Sequence, residues 1–145
     1  MPKLNLDEWR SGLGDINPVF GEATGSFSEL ILGDQVGLRQ FGVRIERLAP
    51  GSKSSIRHWH ASEDEFVYVL SGELVLVEDH ETTLRAGDAV GWAAGEATAH
   101  NLINRSDKEA SFLIVGGRAA DDIVTYPDHG VRLLRNGETR RFEKL

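Results

Sequence analysis

The chain of 145 residues contains no cysteine. That absence removes a disulfide framework, a thiolate metal site and a thiol nucleophile from consideration. Basic residues are outnumbered, Lys and Arg totalling 16 against 23 Asp and Glu, and a formal charge of −7 leaves no basic stripe of the kind nucleic acid requires. No apolar run approaches the roughly 18 residues that cross a bilayer. No signal-peptide pattern opens the chain, so a cytoplasmic location without membrane contact is expected. Sustained 3.6-residue periodicity is missing, as are linkers, low-complexity tracts and internal repeats. One domain over residues 1–145 is the expectation.

What is present is ordinary in bulk, at 40% hydrophobic and 27% charged residues, and distinctive in pattern. Short alternating or β-branched runs recur with turn signals between them. They predict strands near Phe27–Leu32, Leu38–Leu48, Ser55–His60, Glu65–Ser71, Glu73–Asp79, Glu81–Arg85, Ala89–Trp92, His100–Asn104 and Ala110–Gly116. Ser71-Gly72 reads as a hairpin turn, and Asp79-His80 and the segment Arg85-Ala86-Gly87-Asp88 separate further pairs. Asn136-Gly137, between Val131–Arg135 and Glu138–Phe142, is the strongest hairpin signal. Residues 1–26 read as an N-terminal arm, 27–117 as a β core, and 118–145 as a C-terminal extension with a hairpin. Within the arm, Leu4–Leu13 fits either one or two helical turns or an extended segment packed on the core or a second subunit.

Four side chains carry the chemistry: His58, His60, Glu65 and His100. In a strand, residues i and i+2 share a face, so His58-Trp59-His60 aims two imidazoles into one space and Trp59 away from it. Glu65 shares a face with Val67 and Val69, which lets its carboxylate enter the same interior. His100 closes the site from a third direction, and together the four form a ligand set suited to Fe, Mn, Ni, Cu or Zn. Asp64 is the competing carboxylate, set on the opposite strand face. His80 and His129 fall in Asp-His turns and read as solvated. Trp59 and Tyr68 read as outward packing residues, and Trp92 as a residue near the mouth. Gln40, Arg44 and Arg57 are long enough to reach a carboxylate or phosphate on a ligand, and alternation leaves their strand faces open. No second cluster offers an obvious general base.

These segments resemble the paired motifs of the cupin superfamily. Gly51, His58, His60, Glu65 and Gly72 fill the first, G-x5/6-H-x-H-x3/4-E-x6-G. Gly87, Gly95, His100 and Asn104 fit the second, G-x5-P-x-G-x2-H-x3-N, with two departures. Ala93 replaces the proline, and four residues rather than two separate Gly95 from His100, so the loop before His100 is expected to run differently. The likeness is close over Gly51–Asn104 and looser over Val36–Gly117. A nearer likeness is to small bacterial single-cupin proteins with His-Trp-His, Glu-Asp-Glu-Phe-Val-Tyr-Val-Leu and His-x-Leu-Ile-Asn-Arg-Ser-Asp segments.

The resemblance implies an all-β, jelly-roll-like double-stranded β-helix barrel with little helix. It also implies one divalent ion held by His58, His60, Glu65 and His100, with net charge +1 and one or two positions open to water or substrate. An open position is what separates a catalytic site from a closed structural one. Superfamily members include dioxygenases, decarboxylases, sugar-phosphate isomerases, lyases and non-catalytic sugar-binding proteins, and fold alone does not choose among them. The expected function is binding or transformation of a small carbonyl, carboxylate or sugar compound at the metal, in a protein that pairs as a homodimer. The alternative is a non-catalytic sensor of a sugar or carboxylate.

Overall fold

Alternating apolar and polar residues, broken by glycine-bearing turns, favour pleated strands over helix. In the computed structural model, which describes residues 3–145, they form thirteen strands and no α-helix. In chain order these are β1 (Arg10–Gly12), β2 (Phe27–Ile31), β3 (Phe41–Leu48), β4 (Trp59–His60), β5 (Glu65–Ser71), β6 (Glu73–Val77) and β7 (Glu81–Arg85). They continue with β8 (Ala89–Trp92), β9 (Asn101–Ile103), β10 (Ala110–Gly117), β11 (Asp121–Tyr126), β12 (Val131–Asn136) and β13 (Thr139–Lys144). Two 3-10 turns, Gly33–Val36 and Pro127–His129, complete the description.

One antiparallel sheet runs β1-β2-β3-β10-β5-β8. Two smaller sheets, β7-β6-β9 and β13-β12-β11-β4, are linked by an isolated bridge between His58 and His100. Leu48, Val67, Val69 and Phe112 of the large sheet meet Leu74, Leu76, Leu84 and Leu102 of the facing one, making the core between the layers. Burial is worth about 1.5–3 kcal/mol for each such side chain. Alternation on β5 sorts its residues: Val67 and Val69 are buried, whereas Phe66, Tyr68 and Leu70 are exposed on the outer face.

Several local expectations change. Ser71-Gly72 does not close a hairpin, because β5 pairs with β10 and β8 while β6 pairs with β7 and β9. Gly72 takes a left-handed φ of 76° against Ala110, where a Cβ would come within 2.9 Å, and the chain there turns from one sheet into the other. The segment Arg85-Ala86-Gly87-Asp88 is a second such crossing, from β7 to β8. The strand near Ser55–His60 shrinks to Trp59–His60, since Ser54 is drawn aside by bonds in both directions with Leu102. At the C-terminal hairpin the last pair is Asn136 with Thr139, so the turn is Gly137-Glu138, one residue later than the Asn-Gly signal suggests. Strand β11 was not foreseen; its opening Asp121-Asp122 breaks the apolar pattern. The N-terminal arm is extended rather than helical: β1 lies on β2, and the Arg47 guanidinium stands 3.6 Å over the Trp9 ring.

Candidate metal centre

The large sheet opens a space at the start of β5. Glu65 is in register with Gly116 on β10, and Gly116 with Gly42 on β3, so the inward row carries no side chain on that flank of the carboxylate, while Trp92 on β8 borders the other. A cavity of about 330 Å³ lies there between the layers. His60 enters it from β4. His58 and His100 are locked to each other: His58 N–H donates to the His100 carbonyl at 3.3 Å, and His100 N–H to the His58 carbonyl at 3.0 Å. That bridge places His100 despite the longer loop before it. The loop is fixed where Gly95 N–H donates to the His60 carbonyl at 2.9 Å and Ala94 N–H to Asp64 Oδ1 at 2.7 Å. Asp64 therefore staples the loop and is no rival ligand.

All three imidazoles turn Nε2 toward Glu65. His60 Nε2 is 3.1 Å from Oε1, His58 Nε2 is 3.6 Å from the same oxygen, and His100 Nε2 contacts Oε2. Each opposite nitrogen meets an oxygen that accepts: Nδ1 of His58 the Ile56 carbonyl at 2.7 Å, Nδ1 of His100 the Thr98 carbonyl at 2.9 Å, and Nδ1 of His60 the Asp122 carboxylate at 2.6 Å. A carbonyl cannot donate, so Nδ1 carries the proton and Nε2 of the neutral ring presents a lone pair. Three lone pairs and a carboxylate facing one small space repel unless protons or a cation lie among them. This is the arrangement by which buried acceptors fix the tautomer and aim of metal-ligating histidines. The donor set fits a divalent transition ion.

The electrostatics agree. Burial disfavours a charge on His60, but its hydrogen bonds to the Glu65 and Asp122 carboxylates outweigh it and raise its pKa to about 9. Burial likewise works against an ionised Glu65, and the His100, His58 and His60 contacts overcome it, holding the carboxyl well below its usual range. His58, Glu65 and His100 offer donor atoms within 4.8 Å of one another, and His60, Glu63 and Asp122 form a second group of that kind. The second group is support for the first. Asp122 also accepts Ser62 N–H at 2.8 Å, and Glu63 is taken by Ala119 N–H at 2.9 Å and Arg135 at 2.5 Å.

Sequence reasoning missed Asp122 and Glu63, whose signals are ordinary acids in an acidic chain. It left Trp92 undecided. The Trp92 indole is stacked on the His100 ring, centroids 3.6 Å apart and planes 2° from parallel, and its Nε1–H donates to Glu78 at 3.0 Å. His129 is not a solvated turn residue: it is partly buried, with its ring edge-on to Phe20 at 5.1 Å. His80 is exposed as expected. Of the three long polar side chains left open, Gln40 is exposed, Arg57 pairs with Asp128 at 3.0 Å, and Arg44 alone lines the cavity.

The sequence signature described as "Cupin domain" matches residues 44–116. The chain belongs to the cupin family. Among solved cupin structures, one from Silicibacter pomeroyi, described as a sugar phosphate isomerase, is 40% identical, with 99% of this chain and 92% of that one covered at a TM-score of 0.90. Another, from Acidithiobacillus ferrooxidans with a provisional sugar phosphate isomerase assignment, is 33% identical over 88% of this chain and 79% of that one, at a TM-score of 0.80. A cupin 2 conserved barrel domain protein from Salinispora arenicola is 24% identical over 83% and 91% of the two chains, with a TM-score of 0.61, and shares the fold. No curated protein matches the chain.

Proposed function

We propose that this cupin binds a divalent transition metal through His58, His60, Glu65 and His100 and interconverts the aldose and ketose forms of a small sugar phosphate. The observation that carries the metal reading is the set of three imidazoles whose Nδ1 atoms are each held by an acceptor, leaving three Nε2 atoms around Glu65. The likeness to the Silicibacter pomeroyi and Acidithiobacillus ferrooxidans proteins supports the choice of sugar phosphate. A bound divalent ion would supply a Lewis acid for a carbonyl or enediolate oxygen. The chain's own residues aim the ligands and limit solvent: Asp122 orients His60, the Ile56 and Thr98 carbonyls orient His58 and His100, and buried Trp92 covers one face of the His100 ring. Exposed Phe66, Tyr68 and Leu70 support pairing of two copies.

A second reading, a module that holds such a ligand without transforming it, is favoured by one feature. Two of the acids lining the cavity, Glu63 and Glu65, are already engaged by partners within the chain. Loading the protein with Fe(II), Mn, Ni or Zn, measuring bound metal, and following carbons 1 and 2 of aldose phosphates by NMR tests both readings. Stoichiometric metal with interconversion is the expected result. Metal and ligand binding without interconversion would replace the isomerase with the binding module, and no bound metal would end both.

A further inference from the structure

Three arginines line the cavity, and they are not equivalent. Arg118 donates to the Leu38 carbonyl at 3.0 Å and to Asp34 at 2.7 Å, and Arg135 donates to Glu63 at 2.5 Å and the Ala119 carbonyl at 3.0 Å. The Arg44 side chain, 39% exposed, makes no hydrogen bond among the described residues, and its Nε is buried without a partner. Its nearest acids stand beyond good hydrogen-bond reach, with Glu46 at 3.5 Å and Glu29 at 3.8 Å from Nε. A buried donor left unpaired is costly, and cavities lined by such groups are where ligands supply the missing acceptor.

The sheet fixes where Arg44 stands. On β3 it is in register with Ile114 on β10, which is in register with Val67 on β5. That puts it two strands across and one inward row deeper than Glu65, a backbone separation of about 12 Å from strand spacing and rise. Two side chains and a short phosphorylated sugar bridge that distance. We propose that Arg44 grips the anionic oxygens of the ligand, a phosphate ester or carboxylate, while the ligand's carbonyl end lies toward the histidines. This rests on the reading of the ligand as a sugar phosphate and names the residue that would select it. A guanidinium suits the task because its planar fork matches two oxygens of a phosphate at once.

The two neighbouring acids meet this cation only through long ion pairs. Glu29 is shared with Arg10 at 3.1 Å. Glu46 is buried, and burial, only partly opposed by Arg44 and reinforced by Glu29, raises its pKa above the ordinary carboxylate range. The contacts of both acids to Arg44 are long, so an incoming anion can offer the guanidinium shorter ones.

Calorimetry on metal-loaded and metal-free protein tests the assignment, with inorganic phosphate, ribose 5-phosphate and ribose as probes. Arg44→Gln is expected to weaken phosphate and ribose 5-phosphate binding about 10- to 100-fold in both forms, the loss of charged hydrogen bonds. Metal content and ribose binding should be unchanged. Arg44→Lys, which keeps the charge without the fork, is expected to fall between and guards against a folding defect in the first variant. Phosphate binding unaltered by Arg44→Gln, or no phosphate binding by the unaltered protein, overturns the assignment. An isomerase assay that fails while phosphate affinity still depends on Arg44 would remove the reaction and leave the anion site standing.

Discussion

The two polar walls of the cavity hold their side chains by opposite means. On the histidine wall every ring is fixed at both ends, Nε2 toward Glu65 and Nδ1 on a carbonyl or on Asp122. On the β3 wall Arg44 has only long ion pairs, to Glu46 and Glu29, and its Nε has no hydrogen-bond partner, although it lines the same space. An ion needs donors placed to within a fraction of an ångström, so rigidity there helps. A flexible ligand with a charged end is better met by a side chain free to adjust, because no internal bond must break when the ligand arrives. Fixity belongs to the part of the site proposed to hold an ion, and freedom to the part proposed to meet a ligand.

The contrast can be broken at either wall. The largest effect is expected from His60→Ala or His58→Ala, which removes a donor and should abolish stoichiometric metal binding by elemental analysis. If either variant retains a full equivalent, the four-ligand assignment falls. Next comes Asp122→Asn, which leaves all four donors but weakens the hold on His60. A 10- to 100-fold loss of metal affinity, read by competition with a chromogenic chelator, is the usual consequence of such a change. An unchanged affinity would show that the fixed wall gains nothing from its outer support.

A pH dependence sharpens the same point. In metal-free protein His60 is raised from 6.5 to about 9, so folding takes up its proton more readily than the unfolded chain does. The resulting stability is complete below pH 6.5 and is lost as pH rises through about 9. The thermal midpoint of metal-free protein should therefore fall between those values. Metal affinity should rise over the same window, because proton and ion compete for the nitrogen. A metal-free midpoint that stays level from pH 6.5 to 9.5 would contradict the protonated network. The smallest effect is expected from His80→Ala, at an exposed position outside the site: unchanged metal content and a stability change within about 0.5 kcal/mol.

Most of the architecture was legible because the strand signal is local. Glu65–Ser71, Glu81–Arg85 and Ala89–Trp92 could be read residue for residue from alternation and turn chemistry. Which strands pair was less legible: a glycine at position 72 marks a turn but does not say whether the chain returns to its partner or crosses to the other layer. Parity pointed His58, His60 and Glu65 into one space, and the resemblance to the paired cupin motifs added His100. Their supports were not legible, since Asp122 is 62 residues from His60 in the chain and reaches it only through the pairing of β11 with β4. The face chosen by Arg44 was likewise undecidable from alternation alone, because both flanks of β3 carry apolar residues.

Asp122 has a consequence for how much of the polypeptide the centre requires. It lies past residue 116, where the cupin signature ends, on the strand that joins β12 and β13 to β4. A chain shortened at residue 117 would keep every proposed donor and lose the acid that steers one of them. The boundary at which the fold becomes recognisable and the boundary at which the centre becomes whole are different places in this protein.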